Sequence, residues 1–221
     1  MDSKKIKIAL LALALLAGCL NYEQITTIKT DGSGDMYIHY WMHWRNDRDT
    51  TTINQLGLFN QDSIRSEFSS LYNTMDNIEV YNDFSDSTIH AKIEITFNSF
   101  DSLNYTKAFK GANFSIKNGP NNTRIFSQFI KPFATGFGFE SNALNITHVY
   151  YLPGEITFHN ANSLTRNKLT WEYTLAEIGT GKTITATYRP YKLKETPKWI
   201  YYSALTILVV VIVYLFRKRK K

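Results

Sequence analysis

The chain has 221 residues, 43% hydrophobic and 14% aromatic, with a formal charge of +6 and a single cysteine. That length suits one domain with a full core, and a lone cysteine excludes a disulfide-stapled scaffold. The basic excess lies at the two ends, in Lys4, Lys5 and Lys7 and in Arg217, Lys218, Arg219, Lys220 and Lys221; the stretch between is close to neutral, which excludes nucleic acid as a partner because no surplus of cations is left to neutralise phosphates.

The three leader lysines precede an apolar run over residues 8–16, the layout of a secretory signal and too short to span a bilayer. The run closes on Leu16-Ala17-Gly18-Cys19, which resembles the lipobox of bacterial lipoproteins. The resemblance implies cleavage after residue 18 and attachment of diacylglycerol to the Cys19 thiol. An unpaired cysteine in an exported chain fits that role. The competing reading is an incidental cysteine in the leader of a eukaryotic type I membrane protein, where the Asn-x-Ser/Thr acceptors at Asn104, Asn113, Asn121 and Asn145 would matter.

Residues 19–190 are expected to form the exported domain. Alternation over 24–30, the turn Asp31-Gly32-Ser33-Gly34 and an extended stretch from Met36 to Trp44 predict a β-hairpin. Ile64, Phe68, Leu71 and Met75 then recur at helical spacing and predict an amphipathic helix from Asp62. A short strand over 78–81 precedes the clearest signal in the chain. Ile89, Ala91, Ile93, Ile95 and Phe97 alternate with His90, Lys92, Glu94, Thr96 and Asn98, as in a strand with one buried and one wet face. Residues 100–109, after Ser99, predict a second short helix. Strands follow near 112–116, 123–130 and 148–151, and an antiparallel meander is expected over 155–158, 168–174 and 183–188.

Residues 199–216 carry no charge and approach the ~20 residues of a spanning helix, with Trp199, Tyr201 and Tyr202 at its outer interface. The basic run at 217–221 fixes its orientation, since Lys and Arg stay on the cytoplasmic side. The whole reads as an α+β domain, a mostly antiparallel sheet with two helices packed on one face, joined by a linker (191–198) to a C-terminal transmembrane helix. The expected location is the cell membrane, lipid-anchored at Cys19 and single-pass at the C-terminus, with the domain facing the periplasm or exterior.

Chemistry-bearing motifs are few. Gly179-Thr180-Gly181-Lys182-Thr183 matches the end of a P-loop, but Ala176 stands where the first glycine is required and a strand follows where a helix should. His39 and His43 lie about 13 Å apart on one strand; His90, His148 and His159 are scattered singly, with no acidic cluster at metal-ligand spacing. No catalytic residue, cofactor or metal is therefore expected, and a non-catalytic role is. In the segment 133–139, glycines separate Phe133, Phe137 and Phe139. These rings make either a mobile lipid- or membrane-contacting lid or a glycine-kinked core strand.

Tyr151-Leu152-Pro153-Gly154-Glu155-Ile156 followed by Asn160, Trp171 and the strand over 183–187 resembles the C-terminal half of the LppM-type bacterial lipoprotein domain. The Asp31-Gly32-Ser33-Gly34 hairpin, the Phe100-Asp101-Ser102-Leu103 segment and the order of leader, domain, membrane helix and basic tail extend the resemblance. It implies an α+β domain that engages a membrane lipid or lipoglycan. The alternative is a protein-interaction or assembly module of the cell envelope, using the aromatic strand from Tyr37 to Trp44 against envelope proteins.

Overall fold

The computed structural model describes residues 20–43, 57–132, 144–191 and 197–218. They belong to two units, Met1–Tyr191 and Lys192–Lys221.

In the first unit, β1 (Leu20–Ile28) and β2 (Gly34–His43) pair antiparallel from Leu20↔Met42 to Ile28↔Gly34, the expected hairpin. Asp31 Oδ1 holds the turn by accepting from the amide and hydroxyl of Ser33 at 3.0 and 2.7 Å, while Gly32 supplies a φ of +90°. The helix α1 (Gln61–Phe68) starts on an Asn60 cap and is shorter than its periodicity predicts. The Asn73 side chain accepts from Ser70 N at 3.1 Å and donates to Phe68 O at 3.1 Å. These bonds compete with the helical ladder and draw the chain out of it. Leu71 is consequently 95% exposed, and Met75 belongs to β3 (Asn73–Asp83).

β4 (Thr88–Phe97) buries Ala91, Ile93, Ile95 and Phe97, as its alternation predicts. The expected second helix is instead two 3-10 turns, Asp101–Tyr105 and Lys107–Phe109, without a side-chain cap at Phe100. Asn104 stops a longer helix there, because its side chain bonds both the amide and the carbonyl of Phe114 at 2.9 and 2.8 Å.

The later strands are β5 (Ser115–Asn118), β6 (Arg124–Ile130), β7 (Leu144–Tyr151), β8 (Gly154–His159), β9 (Ser163–Thr165), β10 (Lys168–Thr174) and β11 (Lys182–Pro190), with the one-turn helix α2 (Leu175–Ile178) before the last. They build two sheets rather than one: a seven-stranded sheet ordered β3-β4-β2-β1-β7-β10-β9 and a four-stranded sheet ordered β5-β6-β11-β8. β1 and β7 run parallel; the other pairs among the described residues are antiparallel. The expected meander is thereby divided, β10 joining the first sheet and β8 and β11 the second. The physical reason is cover. A sheet with one apolar face must bury it, and α1, α2 and the 3-10 turns are too short to do so, so a second sheet does.

Between the sheets lie Trp171, Tyr150, Phe126, Phe100 and Phe114, each nearly inaccessible to solvent. Phe126 of the smaller sheet meets Tyr150 and Trp171 of the larger at ring-centroid distances of 4.5 and 6.0 Å. Asn160 ties the two sheets, its Oδ1 accepting at 2.9 Å from both Trp171 Nε1 and Thr185 N. The two residues on which the family resemblance partly rests thus act as one unit.

The second unit holds the helix α3 (Lys198–Lys218). Its large apolar side chains from Trp199 to Ile212 are exposed. Among the described residues no helix is long and apolar enough to cross a membrane; the side chains of α3 are described only as far as Ile212.

Candidate functional site

Cys19, Phe133, Phe137 and Phe139, the residues singled out for lipid attachment and lipid contact, lie outside the described residues. Leu20, next to Cys19 in the sequence, pairs with Met42 of β2 and Leu144 of β7.

Inside the sandwich, β1, β6 and β7 point polar side chains where apolar ones would serve packing better. Gln24, Thr26, His148 and Gln128 are all at most 5% exposed. Tyr22 OH donates to Gln24 Oε1 at 3.1 Å, and Gln24 Nε2 donates to Thr26 Oγ1 at 3.0 Å and to Tyr150 OH at 2.8 Å. Tyr150 OH passes the chain on to Gln128 Oε1 of the opposite sheet at 2.6 Å. Burial pushes the Tyr22 and Tyr150 hydroxyls well above their ordinary range and lowers His148 to about 3, so all three are neutral. His148 Nδ1 has no partner among the described residues. Half-buried Leu20, Tyr22, Tyr40 and Met42 continue this interior toward the start of β1.

The outer face of the large sheet carries a second arrangement. Register sets Trp41 opposite His90 and His90 opposite Tyr81, with His39 opposite Lys92. The rings stand nearly parallel: Tyr81 and His90 at 4.8 Å, His39 and Trp41 at 4.6 Å, Trp41 and His90 at 6.2 Å between centroids. Lys92 Nζ lies 4.7 Å over the Tyr81 ring. His39 Nε2 and His90 Nδ1 are 3.0 Å apart, and His90 Nε2 is 2.7 Å from Thr88 Oγ1. Since Thr88 donates to the Asp86 carboxylate, its oxygen accepts from His90 Nε2–H, and His90 Nδ1 then accepts from His39 Nε2–H. Partial burial, ahead of the neighbouring charges, lowers both imidazoles, His39 to about 4.

Asp83, Asp86 and His90 present one ligand atom each within 4.8 Å of one another. His90, which reads as isolated in the sequence, is brought against His39 and beside Asp83 and Asp86 by the fold. The turn between β3 and β4 folds Asp83 and Asp86 back beside His90, a proximity that linear spacing conceals. Alternation in β2 and β4 was the available signal; the pairing register that sets His39 beside His90 was not. Further along the same face, Asp35, Asp76, Glu94, Thr96 and Tyr37 line a shallow cavity of about 340 Å³. Thr96 Oγ1 reaches Asp76 Oδ2 at 2.7 Å and Asp35 Oδ1 at 3.1 Å, and Lys29 pairs with Asp35 at 3.0 Å.

No protein-family profile matches the chain, and no curated protein matches it. Among solved structures it is similar to the NMR structure of the folded domain of Mycobacterium tuberculosis LppM, at 14% identity and a TM-score of 0.49, over 81% of this chain and 94% of that one. The likeness is a loose one of fold.

Proposed function

We propose that this chain is a non-catalytic lipoprotein of the bacterial cell envelope, tethered through Cys19 and through a membrane-spanning α3, whose domain binds a lipid or lipoglycan at its own membrane. The C-terminal tether rests on the uncharged stretch 199–216 of the sequence, which continues past the last side chain described in α3. Trp199, Leu205, Ile207, Leu208, Val210 and Ile212 are each at least 43% exposed. From Leu205 on they are spaced by one or two positions and leave no polar stripe, and the sequence continues apolar to Phe216 before the basic run. Such a helix finds its complement in hydrocarbon.

The lipobox resemblance and the start of the sheet at Leu20 support the second tether. Lipid binding draws on the family resemblance and on the apolar, partly covered interior at Leu20, Tyr22, Tyr40 and Met42, beside the buried polar chain. An assembly module is the second reading, favoured by the half-exposed Tyr37 and Trp41 on the outer sheet face.

Two measurements test the proposal. Fractionation of Cys19→Ser, of a chain truncated after residue 198, and of the double variant should release the domain from membranes only in the last case; release by either single change refutes the double tether. Mass spectrometry of lipids co-extracted with the full chain should recover a reproducible species, and a reproducibly empty protein refutes lipid binding.

A further inference from the structure

We propose that Asp83, Asp86 and His90 bind a divalent transition-metal cation of the zinc class at the tip of the β3–β4 hairpin. The donor set decides the class: one imidazole and two carboxylates suit zinc-like ions, whereas calcium and magnesium take oxygen ligands alone and more of them. Donors at about 2.0–2.1 Å from a tetrahedral ion lie about 3.3 Å from each other. Closing the present spread of up to 4.8 Å exchanges the bonds of Asp83 to Ser85 and of Asp86 and His90 to Thr88 for bonds to the ion, at a turn where Asp86 is exposed and Asp83 and His90 are half-buried. All three ligands come from one hairpin, so binding requires no movement between elements.

A second strand contributes independently. Metal-ligating histidines are held at the remote ring nitrogen by an outer partner that fixes tautomer and orientation. His90 Nδ1 has such a partner in His39 Nε2 on β2, 3.0 Å away, and the Trp41 and Tyr81 rings flank the His90 imidazole. Without metal, His90 carries its proton on Nε2, facing Thr88. A cation at Nε2 releases that proton to water; Nδ1 receives one from His39 Nε2, and His39 takes one from water at Nδ1. One proton leaves and one enters, and His39 changes tautomer without touching the ion.

The test is titration of the full chain in detergent micelles with zinc chloride, by calorimetry and by nitrogen-15 NMR of the histidine rings. One equivalent should bind, His90→Gln and Asp86→Asn should each weaken it at least tenfold, and Asp76→Asn, on the same sheet face, should leave it unchanged. In the unaltered chain the His39 ring nitrogens should exchange their protonated and bare signatures on binding. Absence of binding, binding indifferent to both ligand substitutions, or a His39 signature that does not move each overturns the proposal.

Discussion

Lowering the pH from 7 to 5 should destabilise the domain through His148, and His148→Phe should remove that part of the loss. The imidazole is buried against the start of β1, with its ring centroid 5.7 Å from that of Tyr22, and burial lowers it to about 3. The unfolded chain titrates near the ordinary value of about 6.5, so below that pH it binds a proton that the folded domain refuses. Stability is therefore complete above pH 6.5 and is lost progressively as pH falls toward 3. Between pH 7 and 5 this amounts to about 2 kcal/mol. His39, held down to about 4, acts in the same direction, so the informative quantity is the difference between the two proteins rather than the slope of either. Phenylalanine keeps a ring beside Tyr22, and Nδ1 had no partner among the described residues to strand. Urea unfolding of the full chain in micelles at both pH values, followed by tryptophan fluorescence with Trp171 buried in the core, measures the effect. Equal pH losses in the two proteins would refute the assignment of a neutral, buried His148.

Tyr150→Phe removes the donor to Gln128 Oε1 and one of two acceptors of Gln24 Nε2 inside the sandwich. A loss of about 2–3 kcal/mol in urea unfolding is expected from buried groups left unpaired; a loss below about 0.5 kcal/mol would show that the chain of bonds is not closed as described. Gly154→Ala should lower Tm more than Gly32→Ala. A Cβ at Gly154 would stand 2.3 Å from the Arg189 carbonyl oxygen, which β11 holds in place, whereas one at Gly32 meets nothing within 4 Å and costs only about 1 kcal/mol for its positive φ. Equal shifts in melting would refute the close approach of β8 and β11.

Strands with one wet face were legible because alternation is a local property. Ile93, Ile95 and Phe97 declare their burial without reference to any partner, and Asp31 to Gly34 declare a turn by their own chemistry. What lay beyond the sequence depended on side chains that interfere with local preference or on contacts between distant segments. Ile64, Phe68, Leu71 and Met75 keep helical spacing, yet Asn73 breaks the run with two hydrogen bonds that periodicity does not register. The second sheet was hidden for a related reason. Residues 155–158 and 168–174 read as successive strands of one meander, but only the packing of Phe126 on Trp171 decides that they cover each other from opposite layers. The His39–His90 contact required the register of β2 against β4, which no residue in either strand encodes alone.

Leu20 is fixed in the sheet by Met42 and Leu144, so a lipid on Cys19 would leave no slack and would orient the domain. On this reading the sheet end next to Leu20 faces the headgroups. That end also carries His43, paired with Thr88, and Thr88 is paired in turn with Asp83. The proposed cation site therefore belongs to the membrane-proximal end of the sheet, while the Gly32 turn lies about 25–30 Å away along β1 and β2. A divalent cation held there would cancel the two negative charges of Asp83 and Asp86 and so remove a like-charge repulsion from an anionic headgroup layer. The lipid anchor and the cation site would then work on the same contact, one fixing the approach of the domain to the bilayer and the other its electrostatics.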